Sequence, residues 1–337
     1  MTQNQATPQA IPRPWRRWIF VVALIAALLI SPELVSRCFF STTLKNKFSS
    51  SSKFEKIELI GKAASHTVLD GQGEWFNQGK LTEILIRSKK RASPSQSPWD
   101  RPSDIIIRNG RLRGSIRIMG MGRNGEAKAV RQSSHQTGHT QRAQAAAPTR
   151  ILISHVDIEA DHRIPIYIAP GVTHVTIENC HISGLSSSVA LYLDAESAHI
   201  TIRNNTFDIR PSREIIAIDG SAHNTLSANR FDHIPFGAIY LYRNCGEGGT
   251  VRHQPPHHNI ISNNHFATRT LGWWSYGVWI GSRQGRRPYR HADDGYPFGS
   301  SLDNHDFANH NTLRNNTFTP AHTRAIRDQG ENNQISP

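Results

Sequence analysis

Cysteine is scarce in this chain: Cys38, Cys180 and Cys245 are the only three in 337 residues. Three thiols without regular spacing define no disulfide framework, so the redox compartment stays open. No C-x-x-C pair offers a zinc-finger spacing, and no aromatic-rich nucleic-acid module is present. Acidic residues are also outnumbered, 26 against 39 Lys and Arg, which leaves a formal net charge of +13 and a pI of ≈ 10.1. Such a charge favours polyanionic partners: nucleic acid, anionic lipid or an acidic polysaccharide. With no nucleic-acid module and with basic residues scattered through strands and loops, an acidic polysaccharide ranks above nucleic acid, which is not expected as a partner.

The apolar run at residues 18–30 is also short, thirteen residues against the roughly 18 that span a bilayer comfortably. Arg13, Arg16 and Arg17 precede it and Ser31-Pro32 ends it, the layout of an export signal. Leu34, Val35, Phe39 and Phe40 could extend it, so length admits both a cleaved signal and a retained anchor. No small-x-small cleavage site follows, and Arg37 makes Cys38 a poor lipidation site. The expectation is a basic cytoplasmic tail (1–17), a signal anchor in the inner membrane (18–31) and a Ser/Lys-rich tether (32–53). The remainder would then lie on the periplasmic side of the envelope.

What the chain has in abundance is one phrase. Ile-Thr-Ile-Arg-Asn-Asn-Thr-Phe ends at Phe207, and close variants end at Phe231, Phe266 and Phe318, with two earlier copies starting at Ile151 and Val175. From Ile151 to Asn224 the starts step by 24, 25 and 24 residues. A unit this short cannot bury its own apolar face, so it must stack on its neighbours. Within a copy, alternation such as Ile200 and Ile202 marks a strand, and the Asn pair marks a tight bend. Stacked, Asn205, Asn229, Asn264 and Asn316 would form an amide ladder, with Cys180 taking that column one coil earlier. A further strand follows each copy, around Tyr167, Tyr192, Ala217, Tyr240 and Trp279. Three strands per coil predict an all-β, single-chain parallel β-helix over residues 54–335, seven or eight rungs tall and monomeric. Residues 120–149, rich in Gly, Gln, Ser and Ala, read as a flexible insertion. Long loops are expected at 244–258 and 281–310.

The coil grammar, the Asn ladder and the Leu-Asp-Gly-Gln-Gly stretch at residues 69–73 resemble the pectate-lyase-like right-handed β-helix superfamily, which includes polygalacturonases, lyases and alginate C5-epimerases. The resemblance implies a right-handed coil and a sugar-binding face on the Tyr and Trp strands. The Asn-Thr-Asp motif of polygalacturonases and the Arg-x-Pro-x-x-Arg of pectate lyases are absent. Asp303, Asn304, His305 and Asp306 only loosely resemble the Asp-Pro-His-Asp motif of alginate epimerases.

Outward positions of the third strands read Tyr167, Tyr192, Ala217, Tyr240 and Trp279, an aromatic column suited to stacking on pyranose faces. Two residues on come Asp194, Asp219 and Tyr242, with Arg243 beyond. Carboxylates on neighbouring rungs can supply an acid and a base, bind a cation such as Ca2+, or simply tie down turn amides. No cofactor is certain, and no histidine spacing repeats a known metal pattern. Expected catalytic residues are therefore Asp194, Asp219, Tyr242 and Arg243; Tyr167, Tyr192, Tyr240, Trp279 and Arg283 would bind substrate. Arg243 and Arg283 would neutralise a sugar carboxylate while Tyr240, Tyr242 or a loop His moves a proton, as in a lyase or C5-epimerase. A hydrolase using the two aspartates, and a non-catalytic polysaccharide-binding or polymer-export component, fit the same pattern.

Overall fold

A computed structural model of the protein describes residues 54–92, 98–281 and 308–336. The anchor and tether, Arg283, and residues 303–306 lie outside the described residues. Among the described residues no helix is long and apolar enough to cross a membrane.

The strand after each Asn phrase pairs in parallel with its counterpart one coil away. Tyr192 lies opposite Tyr167 on one side and Ala217 on the other, and Tyr240 lies between Ala217 and Trp279. The phrase strands pair likewise, Ile202 between Ile177 and Leu226, as do the strands after the bend, Phe207 between Ile182 and Phe231. The coil thus closes a three-sided parallel β-helix. Nine strands stack on the tyrosine face among the described residues, from Glu55–Ile60 to Ile326–Asp328, so the rod is a rung or two longer than its repeats indicated.

Inside, each side chain sits on its own kind. Ile86, Ile118, Ile168, Leu193, Ile218, Leu241 and Ile280 form one fully buried column, each contributing about 1.5–3 kcal/mol by burial. Phe207, Phe231, Phe266 and Phe318 stack with ring centroids 4.8–4.9 Å apart, the rung spacing of a parallel sheet. The Asn ladder forms as expected: each Nδ2 donates 3.0 Å to the next Oδ1 from Asn205 through Asn229 and Asn264 to Asn316. Cys180 occupies the same column, its backbone N–H donating to Asn205 Oδ1 at 2.9 Å. The first Asn of each pair has the complementary task. Asn204, Asn263 and Asn315 take positive φ of 53–56°, the left-handed conformation that turns the strand.

A second amide ladder runs through the residues that open the phrases, Asn224 to Asn259 to Asn311 to Asn333 at 2.8, 3.0 and 3.2 Å. The residue before each of these corners is also left-handed. That column reads His66, Asp104, Arg150, His174, His199, His223, His258, His310 and Asn332, with φ of 54–64°.

The insertion at 120–149 is not the flexible segment its composition suggested. It folds into two short helices, α1 (Lys128–Ser134) and α2 (His139–Ala146). Neither has a side-chain N-cap, and helices of this length are not stable alone. Docking holds them instead. Val130, Ala143, Ala146 and Ala147 are buried, and Arg142 donates to the Ser133 and Gln136 carbonyls at 2.8 and 3.0 Å. A Cβ at Gly171 would come within 2.3 Å of the Ala143 carbonyl, so α2 lies directly on the coil there.

Candidate functional site

The strand register places Asp194 beside Asp219 on neighbouring rungs of the tyrosine face, as the repeats implied. Their surroundings differ from that expectation. The insertion and the 244–258 loop close over both aspartates, which have no exposed surface. Asp194 Oδ2 accepts from Tyr167 Oη at 2.6 Å and from the Gly125 N–H at 2.8 Å; its Oδ1 accepts from the Ala195 N–H at 2.8 Å. Asp219 accepts from Tyr192 Oη at 2.5 Å and from the Asn244 N–H and Nδ2 at 2.8 and 3.0 Å. Arg252, equally buried, ion-pairs with Asp219 and reaches Asp194 at 3.7 Å and Glu247 at 3.2 Å. The guanidinium is thus shared between the two carboxylates.

This buried cluster fastens the lid. Burial raises the Asp194 pKa against the opposing pull of Arg252 and pushes Glu247 up to about 6. Gly125 sits so close that a Cβ there would meet Arg252 Nη2 at 2.8 Å. Glu196, buried two residues beyond Asp194, accepts from Thr140 Oγ1 on α2 at 2.5 Å and from the His253 N–H at 2.6 Å. One carboxylate therefore ties α2 and the 244–258 loop to the same coil.

The expected substrate column is correspondingly altered. Tyr167 and Tyr192 stack on one another, 5.1 Å apart and 7° from parallel, with the Arg117 guanidinium over Tyr167 at 4.2 Å. Tyr167 and Tyr240 are buried rather than forming an open platform. Tyr242 is buried too and donates to Glu214 at 2.9 Å. Burial drives the Tyr167, Tyr192 and Tyr242 phenols well above their usual range, so none serves as a base near neutrality. Arg243 is buried, with Nη1 donating to the Arg252 carbonyl at 3.3 Å. Trp279, like Tyr192, is only half-buried; its indole N–H donates to Gln329 Oε1 at 2.8 Å and Arg327 lies 4.8 Å over the ring.

An open binding surface lies instead beside the left-handed column. Three adjoining depressions, ≈ 510, ≈ 410 and ≈ 430 Å³, share Arg101, Ala145 and Arg150 at one junction and Gln144 and His199 at the other. Together they form a trough with α2 as one wall and the column as the other. From His66 to His257, beside His258 one rung beyond His223, it passes seven rungs, roughly 29 Å at about 4.8 Å per rung. Its first third carries Lys62, Arg91, Arg101 and Arg150 against Asp100, and Lys89 and Lys90 lie at its edge. Arg150 is held by a twofold hydrogen bond to Asp104, 2.6 and 2.7 Å. Arg101 donates at 3.0 Å to the Gln144 carbonyl near the C-terminal end of α2 and, among the described residues, pairs with no carboxylate.

The rest of the trough is lined by imidazoles, His174, His199, His223, His253 and His257 among them. In the column itself His174, His199, His223, His258 and His310 stack rung upon rung with centroids 4.9–5.3 Å apart and planes within 23° of parallel. Burial, then His199 and Arg150, lowers the His174 pKa; burial, then His199 and His258, lowers that of His223. His257 falls to about 4 through burial and its three neighbouring histidines. With pKa values below the usual imidazole range, His174, His223 and His257 are neutral at pH 7. The column was visible in the sequence: each of the five histidines immediately precedes a copy of the phrase.

A buried imidazole also makes the lid sensitive to acid. His139 opens α2, is 1 % exposed, contacts Ser133 Oγ at 3.0 Å and has its pKa lowered to about 3 by burial, then by His253, Arg142 and His135. A base whose folded pKa is depressed stabilises the fold above its unfolded value near 6.5 and loses that contribution as pH falls toward the folded value. At pH 5 the loss is about 2 kcal/mol, from about 1.5 pH units at 1.36 kcal/mol each. Asp194, Glu196 and Glu247, with raised pKa values, act in the opposite sense. Comparison with a variant therefore isolates the histidine: His139→Gln is expected to flatten the increase in amide exchange of residues 128–146 between pH 6.5 and 5. Equal acid sensitivity in both proteins would assign the effect elsewhere.

A family model described as "right handed beta helix region" matches residues 143–336, more than half of the chain. Among solved structures, an alginate lyase from Paenibacillus sp. strain FPU-7 is 9% identical with a TM-score of 0.39, covering 81% of each chain. The A-module of the mannuronan C-5 epimerase AlgE4 of Azotobacter vinelandii is 10% identical with a TM-score of 0.26, covering 84% of this chain and 89% of its own. No curated protein matches the sequence. The rung-to-rung pairing, three strands to a coil, and the family match agree: the chain belongs to the right-handed β-helix family.

Proposed function

We propose that the protein binds an acidic polysaccharide along the trough beside the histidine column and acts on it by abstracting a proton next to a sugar carboxylate, the step that lyases and C5-epimerases share. Residues 18–31 would hold it in the inner membrane with the coil on the periplasmic side. The observation that carries this reading is the trough, open along seven rungs, cationic at one end and lined with imidazoles beyond. Proton loss beside a carboxylate needs that carboxylate's charge neutralised and a base that is unprotonated at working pH. Arg101 offers the first and His174 the second, and both border the same depression. A hydrolase using Asp194 and Asp219 loses support, because both oxygen pairs are committed under the lid.

A non-catalytic polysaccharide-binding component is the second reading, favoured by the openness of the trough. Two variants separate them. Lys62→Glu combined with Lys90→Glu reverses two exposed charges, each worth about 1 kcal/mol, and should weaken binding to polyuronates about tenfold or more under either reading, with a shallower salt dependence. His174→Asn keeps a residue that tolerates the left-handed corner. In an enzyme it should cut formation of unsaturated or epimerised product by about a hundredfold or more while binding persists. Retention of wild-type activity, or no product from any uronate polymer, removes the catalytic reading; indifference of binding to the charge reversals removes both.

A further inference from the structure

Between two neighbouring rungs of the histidine column three imidazoles converge. His223 and His258 occupy successive left-handed corners with their rings stacked 5.2 Å apart. His257 stands edge-on to both, with centroids 5.0 and 4.9 Å away and planes at 86° and 87°. One ring nitrogen from each lies within 4.8 Å of the others, and the Nδ1 atoms of His257 and His258 are 2.8 Å apart. We propose that His223, His257 and His258 form a binding site for a borderline transition-metal dication, Zn2+ in the first instance.

Three features support it. The ligand set is all imidazole, which suits Zn2+, Cu2+ or Ni2+ and not the oxygen-seeking Ca2+ or Mg2+. Zn–N bonds of about 2.0–2.1 Å in a tetrahedral site place ligand nitrogens roughly 3.3–3.5 Å apart; these nitrogens already lie within 4.8 Å of one another, on two exposed rings and one half-buried ring. The backbone itself is fixed from beneath. Asn224 and Asn259, immediately following His223 and His258, are buried and joined at 2.8 Å, and the His223 N–H donates to the His257 carbonyl at 3.1 Å. Ligands mounted on a rigid ladder meet the requirement that a metal site be supported by its surroundings.

Three protein ligands leave a fourth position open, the pattern of metal sites that bind a small ligand rather than only hold structure. His223 and His257 border the last depression of the trough, so that position faces the same groove. A water or an anionic oxygen could occupy it; this last point alone rests on the polysaccharide reading.

The spacing hides the site from sequence inspection, because two ligands are adjacent and the third lies 34 residues earlier, one coil away. The test uses the full chain purified through a tag that contains no histidine and stripped with chelator. Calorimetric titration with Zn2+ at pH 7.5 should show one ion per chain with a dissociation constant in the micromolar range or tighter. Co2+ should give the visible ligand-field bands of a four- or five-coordinate nitrogen site. His257→Ala, and separately His223→Asn, which preserves the left-handed corner, should weaken Zn2+ binding by more than the ~10–100-fold that loss of even a supporting partner costs. His181→Ala, on another face of the coil, should bind as the wild type does. Thermal melts of the metal-free proteins check that the variants fold. The proposal is overturned by absence of stoichiometric binding, or by His257→Ala and His223→Asn variants that fold and bind Zn2+ as tightly as the wild type. Neither outcome depends on polysaccharide binding or turnover.

Discussion

Arg252→Ala is expected to cost the folded protein about 3–5 kcal/mol, the penalty for stripping a buried ion pair of one partner. The guanidinium is the cation that the structure sets against Asp194, Asp219 and Glu247 together. Without it two carboxylates on neighbouring rungs face each other beneath the lid, and one of them must take up a proton or drive the lid open. Urea unfolding measures the loss, and amide exchange locates it: residues 120–147 and 244–254 should lose protection while the Phe and Asn columns keep theirs. A triple variant that removes the charges on both sides, Arg252→Met with Asp194→Asn and Asp219→Asn, should recover much of the loss, since neutral amides need no counterion. Equal stability of the wild type and Arg252→Ala would show that the cluster does not fasten the lid.

Asn229→Ala should cost a similar amount, about 3–5 kcal/mol, by a different route. The Asn229 amide donates to the Ile202 carbonyl at 2.8 Å and to Asn264 Oδ1 at 3.0 Å, and its oxygen accepts from the Asn205 N–H and Nδ2 at 3.1 and 3.0 Å. Truncation orphans the buried Asn205 N–H and the Ile202 carbonyl of the preceding coil, at about 1–3 kcal/mol each, and leaves a small void. Its counterpart one coil earlier is preceded by Asn204, exposed at the bend with φ 56°. Asn204→Ala should cost only the roughly 1–2 kcal/mol of an alanine in the left-handed region, and Asn204→Gly close to nothing. Two kinds of asparagine that look interchangeable in the repeated phrase thus separate in a denaturation series. Similar losses at both positions would refute the assignment of ladder and bend.

The same contrast shows what could be read from the sequence. A period near 24 residues and alternation of apolar residues are local signals, and they specified the coil, the rung partners of Tyr192 and Asp219, and the column from Cys180 to Asn316. Burial of the outward face was not local. The Gly125 N–H reaches Asp194 across 69 residues and the Gly125 carbonyl accepts from Thr250 across 125, so nothing near Asp194 in the sequence announces that it is covered. The helices that cover it lack side-chain caps and lie in a Gly- and Gln-rich context that reads as a linker. The Arg-Ala-Gln-Ala-Ala run at residues 142–146 was the one available signal, since these are strong helix formers. The histidine column was equally visible in the repeat, but the asparagines beside it explained the corner well enough to draw attention away.

A bare solenoid holds each coil only to its two neighbours, so its coils can be lost one at a time from an open end. The lid changes that connectivity. It leaves the coil after Met119, returns at Thr149, and in between is bonded to Asp194 and Glu196 and to the carbonyls of Gly248 and Gly249, several rungs further along. Coils that would otherwise peel in sequence are bound into one block by a segment anchored outside them. In a single-molecule pulling experiment this middle section would yield as one event, flanked by the smaller steps of the coils on either side.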